Sequence, residues 1–203
     1  MTVPAIGDYR TNANVIVACA QLGHLHRDWW TVDPTYGLGR FWTLWRPDRL
    51  DCHDLNPAKS PTTGRAIDFR DLPYDNGQVD AVVFDPPYKL NGRSDLAMDA
   101  GYGVDIRASW QDRMQLCRDG ITEAVRVTRP GGRVLVKCQD QVCSGQVRWQ
   151  TIDFANHAMS LGCRLVDRFD LLSYRPQPEG RRQVHARRNH STLLVFATRT
   201  VTT

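Results

Sequence analysis

No apolar run in the chain approaches the length that crosses a bilayer. Residues 1–10 carry no basic-then-apolar leader pattern. The expectation is a protein with no membrane partner, located in the cytoplasm. Cysteine is sparse: six residues, at 19, 52, 117, 138, 143 and 163, with no C-x-x-C pair and no histidine at zinc spacing. This predicts reduced, mostly buried thiols and no metal site. Lysine is scarcer still, with three among 26 basic residues, so arginine is the default cation. What is present is ordinary for a soluble globular chain: 203 residues, 41% apolar and 24% charged. That length suits one domain with a sizeable core, as a monomer or a homodimer.

The net charge of +4 is unevenly placed. Between Tyr174 and His190 lie Arg175, Arg181, Arg182, Arg187 and Arg188 against Glu179 alone, so this segment carries the whole surplus. A basic loop on a neutral body fits a polyanion contact. On charge alone, a solvated loop in an arginine-rich chain fits as well.

The stretch that organises the chain is Phe84-Asp85-Pro86-Pro87-Tyr88. An apolar run over 80–84 leads into it and predicts a short buried strand. Two prolines then end the strand, since neither has an N–H for a ladder and Pro86 restricts the residue before it. A carboxylate, two stiffly held carbonyls and an aromatic ring are left at the strand's C-terminal edge, where open α/β sheets bind ligands. The motif resembles the Asp-Pro-Pro-Tyr motif of the class I S-adenosylmethionine-dependent amino-methyltransferases, which methylate exocyclic amines of nucleic-acid bases. In that chemistry the lone pair of the amine is delocalised into the ring. The Asp85 carboxylate and the Pro86 carbonyl would accept its two N–H bonds and aim the lone pair outward, while Tyr88 would stack on the base. Pro87 stiffens the turn. Most of the work is alignment and electrostatics.

Other stretches agree with the resemblance. Trp30-Thr31-Val32-Asp33-Pro34-Thr35-Tyr36-Gly37-Leu38-Gly39 is a strand, an acid and a tight Gly turn, similar to the family's cofactor loop. It assigns Asp33, Thr35, Tyr36, Gly37 and Gly39 to S-adenosyl-L-methionine. A dinucleotide fingerprint would need a third glycine where Trp42 stands. In the family an acid after the second strand binds the ribose. Asp54, with Leu55 and the following Asn-Pro turn, fits best, and Asp51 is its rival. Asp68 would accept from the adenine amino group, and Phe69 would cover the ring or offer its backbone N–H.

The periodicity predicts a helix over 9–22, capped by Asp8 or Thr11 and stopped at Gly23. A second, long helix starts at a cap on Asp105, carries Trp110, Met114, Cys117, Ile121 and Ala124 inward, and stops at the turn 129–132. A third spans 149–161, with Ile152, Ala155 and Met159 inward. Strands are expected over 133–138, 164–172 and 192–198. The structureless stretch 89–104, which begins with Lys89, is expected to form a lid over the base pocket. Lys137 and Gln139 close a strand at the functional edge; Lys137 contacts substrate or pairs with Asp140. His185 and His190 contact a base or pack within their loop.

The resemblance covers residues 12–196. It implies a single domain over 1–203 with a Rossmann-like three-layer α/β sandwich: a mostly parallel, seven-stranded sheet with one antiparallel strand. No separate target-recognition domain is expected. It also places the basic loop beside Asp85, where a phosphate backbone would pass. Lys89, Lys137, Arg175, Arg181, Arg182, His185, Arg187 and Arg188 are then the substrate-side candidates. The implied activity is DNA adenine N6 methylation, because Asp at the first motif position is commoner in the adenine group. The alternatives are an RNA base, guanine N2 or adenine N6, and a non-catalytic nucleic-acid-binding subunit.

Overall fold

The computed structural model describes residues 9–90, 108–173, 184–186 and 188–199. Helix α1 (Asn12–Gln21) is capped by Thr11, whose hydroxyl accepts from the Asn14 N–H while the Asn14 side chain accepts from the Thr11 N–H. Strands β1 (Trp30–Asp33), β2 (Arg49–Cys52) and β3 (Val79–Phe84) follow. β3 is the apolar run before Asp85, and Ala81, Val82, Val83 and Phe84 are fully buried.

β1 pairs in parallel with β2 on one side and with β3 on the other. The chain therefore leaves β1 in one direction and returns beyond it in the opposite one. This is a topological switch point, and the carboxyl ends of β1 and β3 flank the crevice it opens.

Helix α2 (Trp110–Val127) is capped by Ser109, and the expected cap, Asp105, lies outside the described residues. Ser109 and Asp112 form a capping box that satisfies two orphan N–H groups reciprocally. β4 (Thr128–Cys138) pairs in parallel with β3 and starts five residues earlier than expected. Residues 129–132 are a bulge within it, where the register moves from Val79–Thr128 to Ala81–Arg133. A bulge tolerates the missing N–H of Pro130. A small hairpin, β5 (Gln141–Cys143) with β6 (Gln146–Arg148), turns at Ser144 and Gly145, both at positive φ. α3 (Gln150–Ser160), β7 (Arg164–Leu172) and β8 (His190–Ala197) complete the order. β8 runs antiparallel to both β4 and β7, and the sheet reads β2-β1-β3-β4-β8-β7.

The main sheet thus has six strands among the described residues, not seven. Residues 64–73 run as turns. The Leu72 N–H donates to Glu123 Oε1 at 2.7 Å, and the Leu72 carbonyl accepts from Arg126 at 3.2 Å. Side chains of α2 take bonds that a ladder would have supplied.

Alternate strand residues face opposite sides. On one side Val82, Phe84, Val134 and Val136 pack with Met114 and Ile121 of α2 and Phe154 of α3. On the other, Ala81, Val83 and Leu135 pack with Ile16 and Cys19 of α1 and with Phe41 and Trp42. The three-layer α/β arrangement is as expected, and all six cysteines are buried and free. α3 departs from expectation. Ala155 is buried, but Ile152 is 55% and Met159 44% exposed. Phe154 and Ala158 face inward instead, because the larger aromatic surface takes the core position.

Among the described residues no helix is long and apolar enough to cross a membrane. Gly120 of α2 lies against the Phe84 and Phe69 rings, and a Cβ there would overlap both. Gly120→Ala should destabilise the fold by about 1–2 kcal/mol despite the better helix propensity of alanine, read as a lower denaturant midpoint.

Candidate functional site at the switch point

β1 ends at Asp33, which is buried under the following turn. Asp33 Oδ2 accepts from the Trp42 indole at 2.7 Å and Oδ1 from the Thr35 N–H at 3.0 Å. Burial pushes this carboxyl up to about 7; the Trp42 and Thr35 donors oppose the rise, and the charge of Asp85 adds to it. Asp33 therefore holds the turn in shape from beneath.

Gly37 and Gly39 have φ of +57° and +65°. A Cβ at Gly39 would run into the Tyr36 ring, so only glycine fits there. The Gly37 N–H donates to Asp54 Oδ2 at 3.0 Å, and the Asn56 N–H to Asp54 Oδ1 at 2.8 Å. The Tyr36 N–H donates to the His53 carbonyl at 2.9 Å. The Gly turn is thereby stitched to the segment after β2, with Asp54 buried at the seam and Leu55 half-buried beside it.

Asp51 is engaged elsewhere, accepting from Trp30 Nε1 at 2.8 Å and the Tyr74 hydroxyl at 3.0 Å. Asp68 is gripped by Arg70 at 2.6 Å, and that hydrogen bond lowers its carboxyl below the ordinary value. The Phe69 ring packs in the core, with its centroid 5.0 Å from that of Phe84.

β3 delivers Asp85 to the same place. Its N–H donates to Thr35 Oγ1 at 2.9 Å, so the Gly turn and the Asp-Pro-Pro-Tyr exit are hydrogen-bonded to each other across the switch point. Asp85 Oδ2 lies 3.7 Å from Lys137 Nζ, while Oδ1 is buried without a partner. Burial holds the carboxyl above its ordinary value, and the Lys137 ammonium pulls the other way. Lys137 therefore pairs with Asp85 and not with Asp140, whose carboxylate accepts from the Thr151 N–H and hydroxyl at 2.9 Å. Lys137 Nζ also sits 5.5 Å from the Phe41 ring centroid and 5.7 Å from that of Tyr88.

Pro86 is buried and its carbonyl accepts from the Tyr88 N–H at 2.7 Å; Pro87 is half-buried. The Tyr88 carbonyl accepts from Gln141 at 2.8 Å and Gln150 at 2.6 Å. Phe41, Gln141 and Gln150 were missed by sequence reasoning. A buried glutamine at a helix start carries no local signal of what it holds. Lys89 is exposed, and its carbonyl accepts from Arg113 at 3.3 Å.

Arg175, Arg181, Arg182, Arg187 and most of the expected lid (91–104) lie outside the described residues. Arg188 stacks over Trp149 at 4.5 Å, and His185 Nε2 donates to the Gly145 carbonyl at 2.9 Å. Gln139 holds the root of this loop, donating to the His190 and Arg188 carbonyls. Among the described residues no group of three or more His, Cys, Asp or Glu is arranged to hold a metal.

Comparison with protein-family models finds no match, nor does comparison with curated proteins. Solved structures match in fold. TrmN from Thermus thermophilus is 16% identical over 92% of this chain and 48% of its own, with a TM-score of 0.54. A Bacillus halodurans C-125 protein assigned as a methyltransferase is 12% identical over 91% of this chain and 99% of its own, with a TM-score of 0.57. A second Thermus thermophilus protein, assigned as a DNA modification methylase, is 18% identical over 65% of this chain and 50% of its own, with a TM-score of 0.44. The chain spans about half the length of the two Thermus proteins. Identities this low show the fold, and a fold hosts many chemistries, so function is argued from the site.

Lys137 is the cation facing Asp85, so Lys137→Met should move the titration of the Asp85 carboxyl to higher pH, followed by carbon-13 NMR of the labelled carboxyl. An unmoved titration would show that the pair does not interact.

Proposed function

We propose that this chain is an S-adenosyl-L-methionine-dependent methyltransferase acting on an exocyclic amino group of a nucleic-acid base, with DNA adenine N6 as the first candidate. The observation that carries the reading is the hydrogen bond between Asp85 and Thr35, which makes one site of two segments 50 residues apart. Structural neighbours named as methyltransferases lend support through the shared fold.

The residues present suit the cofactor. Its ribose hydroxyls need acceptors, and Asp54 is a carboxylate with one hydrogen bond to each oxygen, leaving lone pairs on both. The Gly37–Gly39 turn offers backbone close to a ligand, and the Phe69 backbone and Asp68 suit an adenine edge. When bound, S-adenosyl-L-methionine supplies a methyl group already activated on a sulfonium. The chain's own part is to present the amine. Asp85 Oδ1 is a buried acceptor without a donor, and the Pro86 carbonyl keeps a second lone pair after binding the Tyr88 N–H. Together they suit the two N–H bonds of an amino group. A carboxyl held above its ordinary value by burial is also a better resting place for the proton the methylated amine must lose. The Lys137 ammonium opposes that rise. Asp85 and Pro86 recognise an amine rather than a sugar, so an RNA base is the alternative acceptor.

Asp85→Ala should abolish transfer of labelled methyl to nucleic acid while calorimetry still detects cofactor binding. Full turnover in that variant would refute the mechanism. Thr35→Val should lower kcat about tenfold or more, with Thr35→Ser restoring most of it, because a misplacement of the acceptor strand of about an ångström is costly.

A further inference from the structure

Two arginine–tryptophan stacks flank the β5–β6 hairpin. The Arg148 guanidinium lies 3.8 Å from the Trp110 ring centroid, and Arg188 lies 4.5 Å from that of Trp149. Arg148 and Trp149 are consecutive, so the two stacks adjoin. Trp149 is 48% exposed, and Ile152, one turn along α3, is 55% exposed. The nearby carboxylates are already engaged: Asp112 with Ser109, Asp140 with Thr151 and Asp153 with Arg118. Among the described residues neither stacked guanidinium pairs with a carboxylate. The face is therefore both cationic and aromatic, the combination on which unstacked bases and their phosphates settle.

The hairpin is also fastened to the candidate site. Gln141 and Gln150 bracket it in sequence, and both donate to the Tyr88 carbonyl. The Leu90 N–H in turn donates to Gln141 Oε1 at 3.1 Å. The stacks thus adjoin the element that holds the backbone of Tyr88, whose ring is expected to meet the target base.

We infer that this Trp149–Arg188 and Trp110–Arg148 face is a stacking platform for single-stranded nucleic acid, carrying the nucleotides that flank the target base. The inference rests on the function proposed above and specifies its substrate as an unpaired strand. In a duplex the bases are stacked on one another and present no free face to an indole.

The test is fluorescence anisotropy with a labelled single-stranded 12-mer and its duplex, on the wild-type chain and on Trp149→Ala and Trp149→Phe. Trp149→Ala should weaken single-strand binding about tenfold. Phe should restore most of that, duplex binding should change little, and calorimetric S-adenosyl-L-methionine affinity should be unchanged, which also reports an intact fold. Single-strand affinity unchanged in Trp149→Ala overturns the platform and leaves the face to a protein partner. If wild type methylates the 12-mer and Trp149→Ala does so with the same KM, the platform falls while the proposed function stands. If wild type binds S-adenosyl-L-methionine but methylates no nucleic acid, both fall.

Discussion

The hydrogen bond from the Asp85 N–H to the Thr35 hydroxyl crosses the gap between β1 and β3 and sets how closely the two loops approach. Both loops depend on it. On the β1 side, Thr35 is held in turn by Asp33, which also anchors Trp42. On the β3 side, two prolines leave the chain little freedom once Asp85 is placed. The switch in strand order opens the crevice, and this contact keeps its two walls in register. Asp54 extends the same framework to the segment after β2 through the Gly37 N–H.

Such a framework brings two carboxylates, Asp33 and Asp85, into mutual range in a poorly solvated place. Burial raises the cost of ionising each, and the charge of Asp85 adds to that of Asp33, but they are answered differently. Asp33 is surrounded by neutral donors and is pushed up to about 7, which suits a structural anchor. Asp85 has a cation, Lys137, set between the Phe41 and Tyr88 rings. One oxygen faces that ammonium and the other has no partner. A buried acceptor without a partner costs stability, and such costs concentrate at functional sites.

Much of this was legible from local chemistry. The buried run before Asp85, the two prolines that stop it, the Gly turn after Asp33 and the Thr11 cap all follow from short-range rules. So did β7, whose bounds were as expected. Two local signals were passed over: the Ser109-x-x-Asp112 box, which starts α2, and the Ser144-Gly145 pair, which turns the hairpin. What was not legible was non-local. The packing of the Phe69 ring against Phe84 and Gly120 joins segments distant in sequence. Ile152 and Met159 have core-like side chains, but the helix turns the face carrying Phe154 and Ala158 inward. Among the described residues the backbone near Leu72 is bonded by α2 side chains, and no window of sequence shows that. From sequence the partner of Lys137 lay open between substrate and its neighbour Asp140, whereas the register of β3 against β4 brings Asp85 to it.

The claim at the centre is chemical: the edge built by Thr35, Asp85 and Pro86 presents an exocyclic amine for methylation. Mass spectrometry of nucleosides released from DNA and RNA treated with the purified protein and S-adenosyl-L-methionine tests it most directly. A methyl group on an exocyclic nitrogen, adenine N6 first among them, is the expected product. Methyl found only on a ring carbon, a ring nitrogen or a sugar oxygen would contradict the account.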